Sequence, residues 1–113
     1  MYKNIYFIGI GGIGMSAIAR YYKFKGYNVG GYDRTPSDLT RKLEEEGIQV
    51  HYEDRPELIP HNVEETLVVY TPAIPSTLKE LQYVQDNRYR VIKRSKMLGE
   101  ITQGQKCLAV AGT

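Results

Sequence analysis

The sequence feature that most constrains this chain is a glycine-rich turn between an apolar segment and a helical one. The apolar run Ile5–Ile8 leads into Gly9, Gly11 and Gly14, which fit the pattern G-x-G-x-x-G. In that pattern the first glycine permits a tight turn, the second lets backbone approach a pyrophosphate, and the third lets the helix pack on the strand. The helix start that follows offers unpaired N–H groups and a partial positive charge. The predicted diphosphate site is one continuous segment: Gly11, Gly12, Ile13, Gly14, Met15 and Ser16.

An aspartate follows the next apolar run at a suitable distance from this turn. Asp33 comes directly after Tyr27–Tyr32, nineteen residues beyond Gly14. A carboxylate there can accept hydrogen bonds from ribose hydroxyls, so we predict that Asp33 contacts a ribose. Two alternatives stay open. The turn can be a plain strand-to-helix connection beside an unrelated surface aspartate, and Ser16 can be an ordinary first-turn serine.

Short apolar runs recur along the chain, and segments with helical spacing lie between most of them. The strand candidates are Ile5–Ile8, Val29–Tyr32, Ile48–Val50, Leu67–Tyr70, Val91–Lys93 and Leu108–Ala111. Such alternation implies crossover connections and a mainly parallel sheet. The predicted fold class is therefore α/β, with a Rossmann-like, doubly wound, mainly parallel sheet of five to six strands and flanking helices.

Stop and start signals predict where the helices lie. The first helix ends near Gly26, and the second lies between Ser37 and Glu46, with Gly47 as its stop. The segment Thr77–Glu80 has the spacing of a capping box and predicts the start of a third helix. Ser95 is a candidate cap for a last helix, which Gly104 would end.

Composition indicates one soluble globular domain. The chain has 113 residues, of which 42% are hydrophobic and 25% charged, so it can bury a core of its own. The formal charge of +2 is spread along the sequence, so we expect no nucleic-acid partner. No apolar run approaches the ~20 residues needed to span a bilayer, and the amino terminus does not resemble a signal peptide. We therefore expect no membrane partner and a cytoplasmic location.

The few metal-binding and nucleophilic residue types do not form a recognisable site. Cys107 is the only cysteine, which excludes an intramolecular disulfide, and its apolar neighbours favour a packed thiol. His51 and His61 lie apart from any group of residues with ligand spacing, so we expect no metal in this segment.

Two more segments follow predicted strands and are candidate ligand contacts. The proline-rich loop Tyr70–Pro75 would lie at the carboxyl end of the sheet, where such folds bind ligands, and it contributes Thr71, Pro72 and Ala73. Arg94 follows the fifth strand and could bond a ligand oxygen. The alternatives are that the prolines only end a strand and that the arginine forms a structural ion pair.

Several segments resemble the Mur ligase family, in the family's order. Phe7–Ser16 resembles its opening, Gly31–Asp33 its glycine-x-aspartate after the second strand, and Thr40–Leu43 its T-x-x-L helix. Val91–Leu98 resembles the V-I-x-R-x-x-M-L segment. Ala109–Thr113 looks like the start of the ATP loop, A-V-A-G-T-H-G-K-T-T. The resemblance covers nearly the whole chain and is strongest to the members that join L-alanine to UDP-N-acetylmuramate.

The resemblance implies a division of the chain and a function for it. Residues 1–107 would be an N-terminal domain that binds the UDP part of UDP-N-acetylmuramate, and residues 108–113 would open the central ATPase domain, with Gly112 and Thr113 in its ATP loop. In the family the sugar carboxylate attacks the γ-phosphate of ATP with the help of magnesium, and L-alanine takes the acyl group. ATP, magnesium and L-alanine would act through further domains, so this segment alone is expected to bind no cofactor and to be inactive.

Two departures from the family pattern limit what the resemblance transfers. Tyr32 stands where the family often has serine, and its ring can stack near the ribose or simply pack. The stretch Val50–Asp54 stands where the family commonly has glycine and histidine, so no role is transferred to His51.

Two other functions fit the glycine pattern. An NAD-binding domain of an oxidoreductase would share the glycines and the acidic residue, although no residue here suggests a hydride-transfer site. A nucleotide-sensing module would fit the length and fold but would not explain the A-V-A-G-T ending.

Overall fold

The chain folds around a parallel sheet, seen in a computed structural model that describes residues 2–96. The strands are β1 (Asn4–Ile8), β2 (Asn28–Tyr32), β3 (Gln49–His51), β4 (Thr66–Tyr70) and β5 (Arg90–Lys93). Their order in the sheet is β3-β2-β1-β4-β5, and each neighbouring pair is parallel. The predicted α/β fold is confirmed. The sixth strand candidate, Leu108–Ala111, and Cys107 lie outside the described residues.

Helices cover both faces of the sheet, so the central strand β1 is buried on both sides. Successive side chains of a strand point to opposite faces. Ile5 and Phe7 therefore enter one core, which includes Met15 and Ile18 of α1 (Ile13–Phe24) and Leu43 of α2 (Asp38–Glu45). On the other face lies a second core, built by residues of the strands, of the loops and of α3 (Lys79–Asp86): Tyr6, Ile8, Tyr32, Ile59, Val68, Leu81, Val84 and Tyr89.

The second helix begins with a local cap that its own sequence provides. The Ser37 hydroxyl accepts from the Thr40 N–H at 3.3 Å, and Thr40 Oγ1 accepts from the Ser37 N–H at 2.7 Å. This reciprocal pair satisfies two donors that a helix start leaves free. Gly47, with a φ of 90°, follows the helix, as the predicted stop requires.

The third helix begins differently from the prediction. No side chain of the predicted capping box Thr77–Glu80 caps it, and it starts after Leu78. Instead the carboxylate of Asp54 accepts from the N–H groups of Lys79 and Glu80, at 2.8 and 2.9 Å. The predicted capping box is wrong because a residue from another loop occupies the position that the local threonine would fill.

The remaining helical segments are short or reach the end of the described chain. Two 3-10 turns, Pro56–Leu58 and Val63–Glu65, connect β3 to β4. Residues 94–96 are already helical, so this segment begins one residue before the predicted cap Ser95. The rest of the predicted last helix, up to Gly104, lies outside the described residues.

The sheet depends on a glycine in its second strand. A Cβ on Gly31 would clash with the carbonyl oxygen of Phe7 and lie 2.9 Å from Ile10 Cδ1. We expect Gly31→Ala to lower the free energy of unfolding by about 1–3 kcal/mol, because overpacking forces backbone to move. Thermal unfolding tests this. The control is Gly12→Ala, whose new methyl group would have no neighbour closer than 3.8 Å at a φ of −66°. Equal melting temperatures for the two variants would contradict the prediction.

Candidate functional site

The residues predicted to form the site follow a row of aligned strand ends. Ile8 of β1 pairs with Tyr32 of β2 and with Tyr70 of β4, and Tyr70 in turn pairs with Lys93 of β5. The residue that follows each of these four strands is either a predicted ligand contact or the first glycine of the turn: Gly9 after β1, Asp33 after β2, Thr71 after β4 and Arg94 after β5. The chain reverses its direction of winding between β1 and β4, and ligands of such sheets bind at that point. The fold therefore brings four separate sequence signals to one edge.

The glycine turn is held by backbone hydrogen bonds to the neighbouring strand. The N–H groups of Gly9 and Ile10 both donate to the carbonyl of Tyr32, at 2.7 and 2.9 Å. Gly9 has a φ of 93°, which only glycine adopts without strain. A Cβ there would lie 3.1 Å from Ile74 and 3.3 Å from Thr71, so the loop after β4 closes against this glycine.

Helix α1 begins at the turn with free donors. No side chain caps its start, and no acidic residue lies in its first turn. The N–H groups of Ile13, Gly14 and Met15 have no carbonyl within the helix to bond, as in the first turn of any α-helix. The Met15 side chain is buried, and that of Ile13 is 83% exposed. The helix start therefore offers backbone donors and a partial positive charge toward the strand ends.

Ser16 is used within the helix. Its hydroxyl donates to the carbonyl of Ile13 at 3.0 Å, and its N–H donates to the carbonyl of Gly12 at 2.8 Å. With 4% of its surface exposed, Ser16 has the contacts of an ordinary first-turn serine, the alternative that the sequence left open.

Asp33 packs directly against the glycine turn. A Cβ on Gly11 would clash with the Asp33 carboxylate and with the buried side chain of Thr40, so the second glycine makes room for both. Burial raises the pKa of Asp33 above its ordinary value, and the N–H groups of Arg34, Thr35 and Gly11 partly offset this rise. The carboxyl group is only half-buried, so it is both tied to the turn and open to a ligand.

Arg94 lies across the start of α1. Its guanidinium occupies the space that a Cβ on Gly14 would need. We predicted the third glycine for close packing of the helix on a strand, and in the structure the atoms nearest to a Cβ on Gly14 belong to this arginine. In the part of the chain that the structure describes, no acidic partner pairs with Arg94. A cation thus stands beside the partial positive charge of the helix start, an arrangement suited to an anion.

The loop after β4 makes a compact turn. The hydroxyl of Thr71 accepts from the Ala73 N–H at 2.9 Å, and its carbonyl accepts from the Ile74 N–H at 3.1 Å. Pro72 and Ala73 are exposed at the tip. The loop therefore does more than end a strand, since it is folded and seated on Gly9.

Tyr32 packs instead of facing the strand ends. It is 6% exposed in the second core, where its ring centroid lies 5.8 Å from that of His51. Burial is the main cause that raises the pKa of its phenol. Of the two possibilities that the sequence left open, the structure has the packed one.

A buried polar cluster lies under this edge, and sequence reasoning missed it. Glu80 is fully buried, and its carboxylate accepts from the Tyr6 hydroxyl, from the Arg55 N–H at 2.9 Å and from His51 Nε2 at 2.8 Å. His51 Nε2 also lies 2.9 Å from Tyr6 Oη. The available signal was Tyr6, a tyrosine in an apolar strand, because a buried phenol needs a hydrogen-bond partner.

An open cavity lies on another part of the described structure. It has a volume of about 340 Å³, and its walls include Tyr6, Gly30, His51 and Leu58. None of the predicted contacts lines it. At the glycine edge, by contrast, the uncapped start of α1, a cation and four strand ends converge.

Two kinds of feature do not occur in residues 2–96. No helix in this range is both long and apolar enough to cross a membrane. Nor do three His, Cys, Asp or Glu side chains of this range group together as metal ligands do.

Comparison with known proteins gives one consistent result. The model of the Mur ligase family, catalytic domain, matches residues 4–106. The chain is 58% identical over 112 residues to a UDP-N-acetylmuramate–L-alanine ligase of Flavobacterium psychrophilum, and the match covers 97% of this chain and 25% of that protein. It is 55% identical over 114 residues to the enzyme of the same name from Porphyromonas gingivalis, covering 98% and 25%. The chain thus spans about a quarter of the length of these relatives.

A solved structure is similar as well. The UDP-N-acetylmuramate-alanine ligase of Thermotoga maritima superposes with a TM-score of 0.84 at 27% sequence identity, over 91% of this chain and 23% of that one.

The buried cluster makes a prediction for Tyr6. Burial, followed by the charge of Glu80 and the bond to it, raises the pKa of Tyr6 far above the ordinary 10.0. We expect Tyr6 to remain protonated as long as the protein is folded. The absorbance change of tyrosine ionisation between about pH 9 and 11 should then have the same amplitude in wild type and in Tyr6→Phe. The chain has ten tyrosines, and burial also raises the pKa values of Tyr32 and Tyr89. A fall of one-tenth or more in the variant would therefore show that Tyr6 titrates normally.

Proposed function

This chain belongs to the Mur ligase family, and we propose that it is the domain with which a UDP-N-acetylmuramate:L-alanine ligase holds the UDP part of its substrate. The observation that carries the proposal is the uncapped start of α1 beside Arg94, at the point where the sheet reverses its winding. Family membership supports UDP-N-acetylmuramate as the ligand, and the helix start beside an arginine supports a diphosphate at this position.

Each predicted contact has a role in this proposal. The diphosphate would accept from the backbone N–H groups of Ile13, Gly14 and Met15, where no Cβ at Gly11 or Gly12 obstructs it. Ser16 contributes through the helix turn that it stabilises. The arginine would add a charge-assisted bond to a phosphate oxygen.

The other ends of the ligand would meet the flanking loops. Asp33 would accept from a ribose hydroxyl, because it follows β2 and remains half-exposed beside the turn. Thr71, Pro72 and Ala73 would border the nucleoside, since their loop closes on Gly9 from the opposite side.

Amide-bond formation is proposed for the longer protein. When bound there, ATP would activate the sugar carboxylate and L-alanine would take the acyl group. The residues that the resemblance assigns to ATP, Gly112 and Thr113, and the proposed boundary at residues 107 and 108 lie outside the described chain. We propose a cytoplasmic location, where ATP is available. The relatives are ligases, so the alternatives of an oxidoreductase or a sensing module have no support from them.

The proposed ligand can be tested directly. We expect UDP and UDP-N-acetylmuramate to shift the amide resonances of residues 11–16 and to bind more tightly than NADH or ATP. The glycine turn accepts any diphosphate, so this difference must come from the nucleoside contacts. Titration of each ligand into labelled protein gives the affinities. Equal or tighter binding of NADH would overturn the proposal in favour of a dinucleotide site.

Gly12→Val provides the matched variant for this titration. Gly12 has a φ of −66°, and the nearest atom to a new Cβ would be 3.8 Å away, so the backbone accepts a side chain at this position. Its branched side chain would stand where the diphosphate must approach. We expect an unchanged melting temperature and no detectable UDP binding. Wild-type affinity in this variant would place the ligand away from the glycine turn.

The ribose contact is tested by Asp33→Asn. Asparagine keeps the size of the side chain but removes the charge, so we expect UDP binding to weaken by about 1–3 kcal/mol, the range for a hydrogen bond to a charged group. Asp38→Asn makes the same change in net charge at a fully exposed position on α2 and should leave the affinity unaltered. Calorimetric titration decides, and equal affinities in both variants would remove Asp33 from the site.

A further inference from the structure

We propose that Asp54 and Glu80 are positioning residues for the loop of residues 71–78, which they hold against the glycine turn by fixing where α3 begins. The part of the proposal that concerns ligand affinity rests on the proposed function. The part that concerns the loop does not.

The two ends of this loop are fixed by different means. Its first end follows Tyr70, which pairs with Ile8 in the sheet. Its second end is the start of α3, where Asp54 accepts from the N–H groups of Lys79 and Glu80. Asp54 belongs to the loop after β3, about 25 residues away in the chain. The length of the loop after β4 is therefore set by a contact between the loop after β3 and the start of α3.

The sequence contains a competing start for the same helix. Thr77 and Glu80 have the spacing of a capping box, in which Thr77 would cap the helix and Glu80 would reach back to the Thr77 N–H. That arrangement would start α3 one residue earlier, make Leu78 helical and shorten the loop. In the structure Leu78 is extended, with φ −61° and ψ 129°, and it precedes the first helical residue. Asp54 therefore selects the longer loop over the local alternative.

The buried cluster prevents the Glu80 side chain from forming the capping box with Thr77. Its carboxylate is fully buried and bonded by Tyr6, by His51 and by the Arg55 N–H. Burying a carboxylate is costly unless its oxygens are paired, and breaking such a cluster by removing one partner costs more than forming it returns. Once these bonds exist, the side chain cannot turn back to Thr77 without leaving the other groups unpaired.

The selected loop length matters at the site. Ile74 Cδ1 and Thr71 Cγ2 lie 3.1 and 3.3 Å from the position of a Cβ on Gly9, so the loop rests on the turn with little room to spare. A helix that began one residue earlier would pull this end of the loop toward α3. The contacts to Gly9, and the exposed tip that we propose borders the nucleoside, would then move.

The test compares Asp54→Ala with Tyr89→Phe. Tyr89→Phe removes a partly buried hydrogen bond of 2.7 Å to the Pro60 carbonyl in the same layer, without changing a residue of the loop, and so controls for destabilisation alone. In Asp54→Ala we expect the Leu78 ¹³Cα shift to move to a helical value, the Ala73 and Ile74 amides to shift, and UDP affinity to fall about 3- to 10-fold, the size of a lost helix cap. Asp54→Asn, which keeps one acceptor, should restore part of each change.

The outcomes separate the two proposals. An extended Leu78 with unmoved loop amides in Asp54→Ala would overturn the positioning role, as would the same amide shifts in Tyr89→Phe. A moved loop with wild-type UDP affinity would overturn its effect on the ligand site. If wild-type protein does not bind UDP, the proposed function fails, while the Leu78 shift still decides the positioning role.

Discussion

The rest of the structure depends on the bend at Gly9. Two successive N–H groups, those of Gly9 and Ile10, donate to the carbonyl of Tyr32, so the pairing of β1 with β2 continues one step past the strands. The chain can then turn away only through a positive φ, which Gly9 adopts at 93°. This bend aims the start of α1 at the row of strand ends. The free donors of the helix, the carboxylate after β2 and the loop after β4 all take their positions from it.

Signals that are local in sequence predicted the fold well. The apolar runs identified each of the five described strands. Ser37 and Gly47 mark the two ends of α2, because serine and glycine act on their immediate neighbours. The strand ends could also be placed at one edge, since parallel strands share it. What the sequence could not provide was the partner of a side chain from another element.

The wrong and missing predictions share that cause. Thr77 and Glu80 have the right spacing to cap α3, yet Asp54 takes the position because β3 and α3 meet in space. Gly14 fits a pattern whose usual reason is helix packing, but its neighbour is Arg94, eighty residues further along. In both cases the local rule identified the right helix or glycine, but the residue that contacts it is distant in the sequence. Propensity and spacing describe a segment, whereas tertiary contacts decide which of its options is used.

The turn itself does not specify which nucleotide binds. Backbone donors and one arginine can hold the diphosphate of UDP or of NAD equally well, because both present the same oxygens. Discrimination would therefore come from groups that reach the base, and we propose the loop of residues 71–78 for that role. A contact that distinguishes two bases must be held to a fraction of an ångström. In our proposal Asp54 fixes the end of that loop, and the buried cluster keeps Glu80 from the competing cap. Selectivity as well as stability would then depend on these two carboxylates, which would give a reason for a charged group in a core where an apolar residue would be less costly.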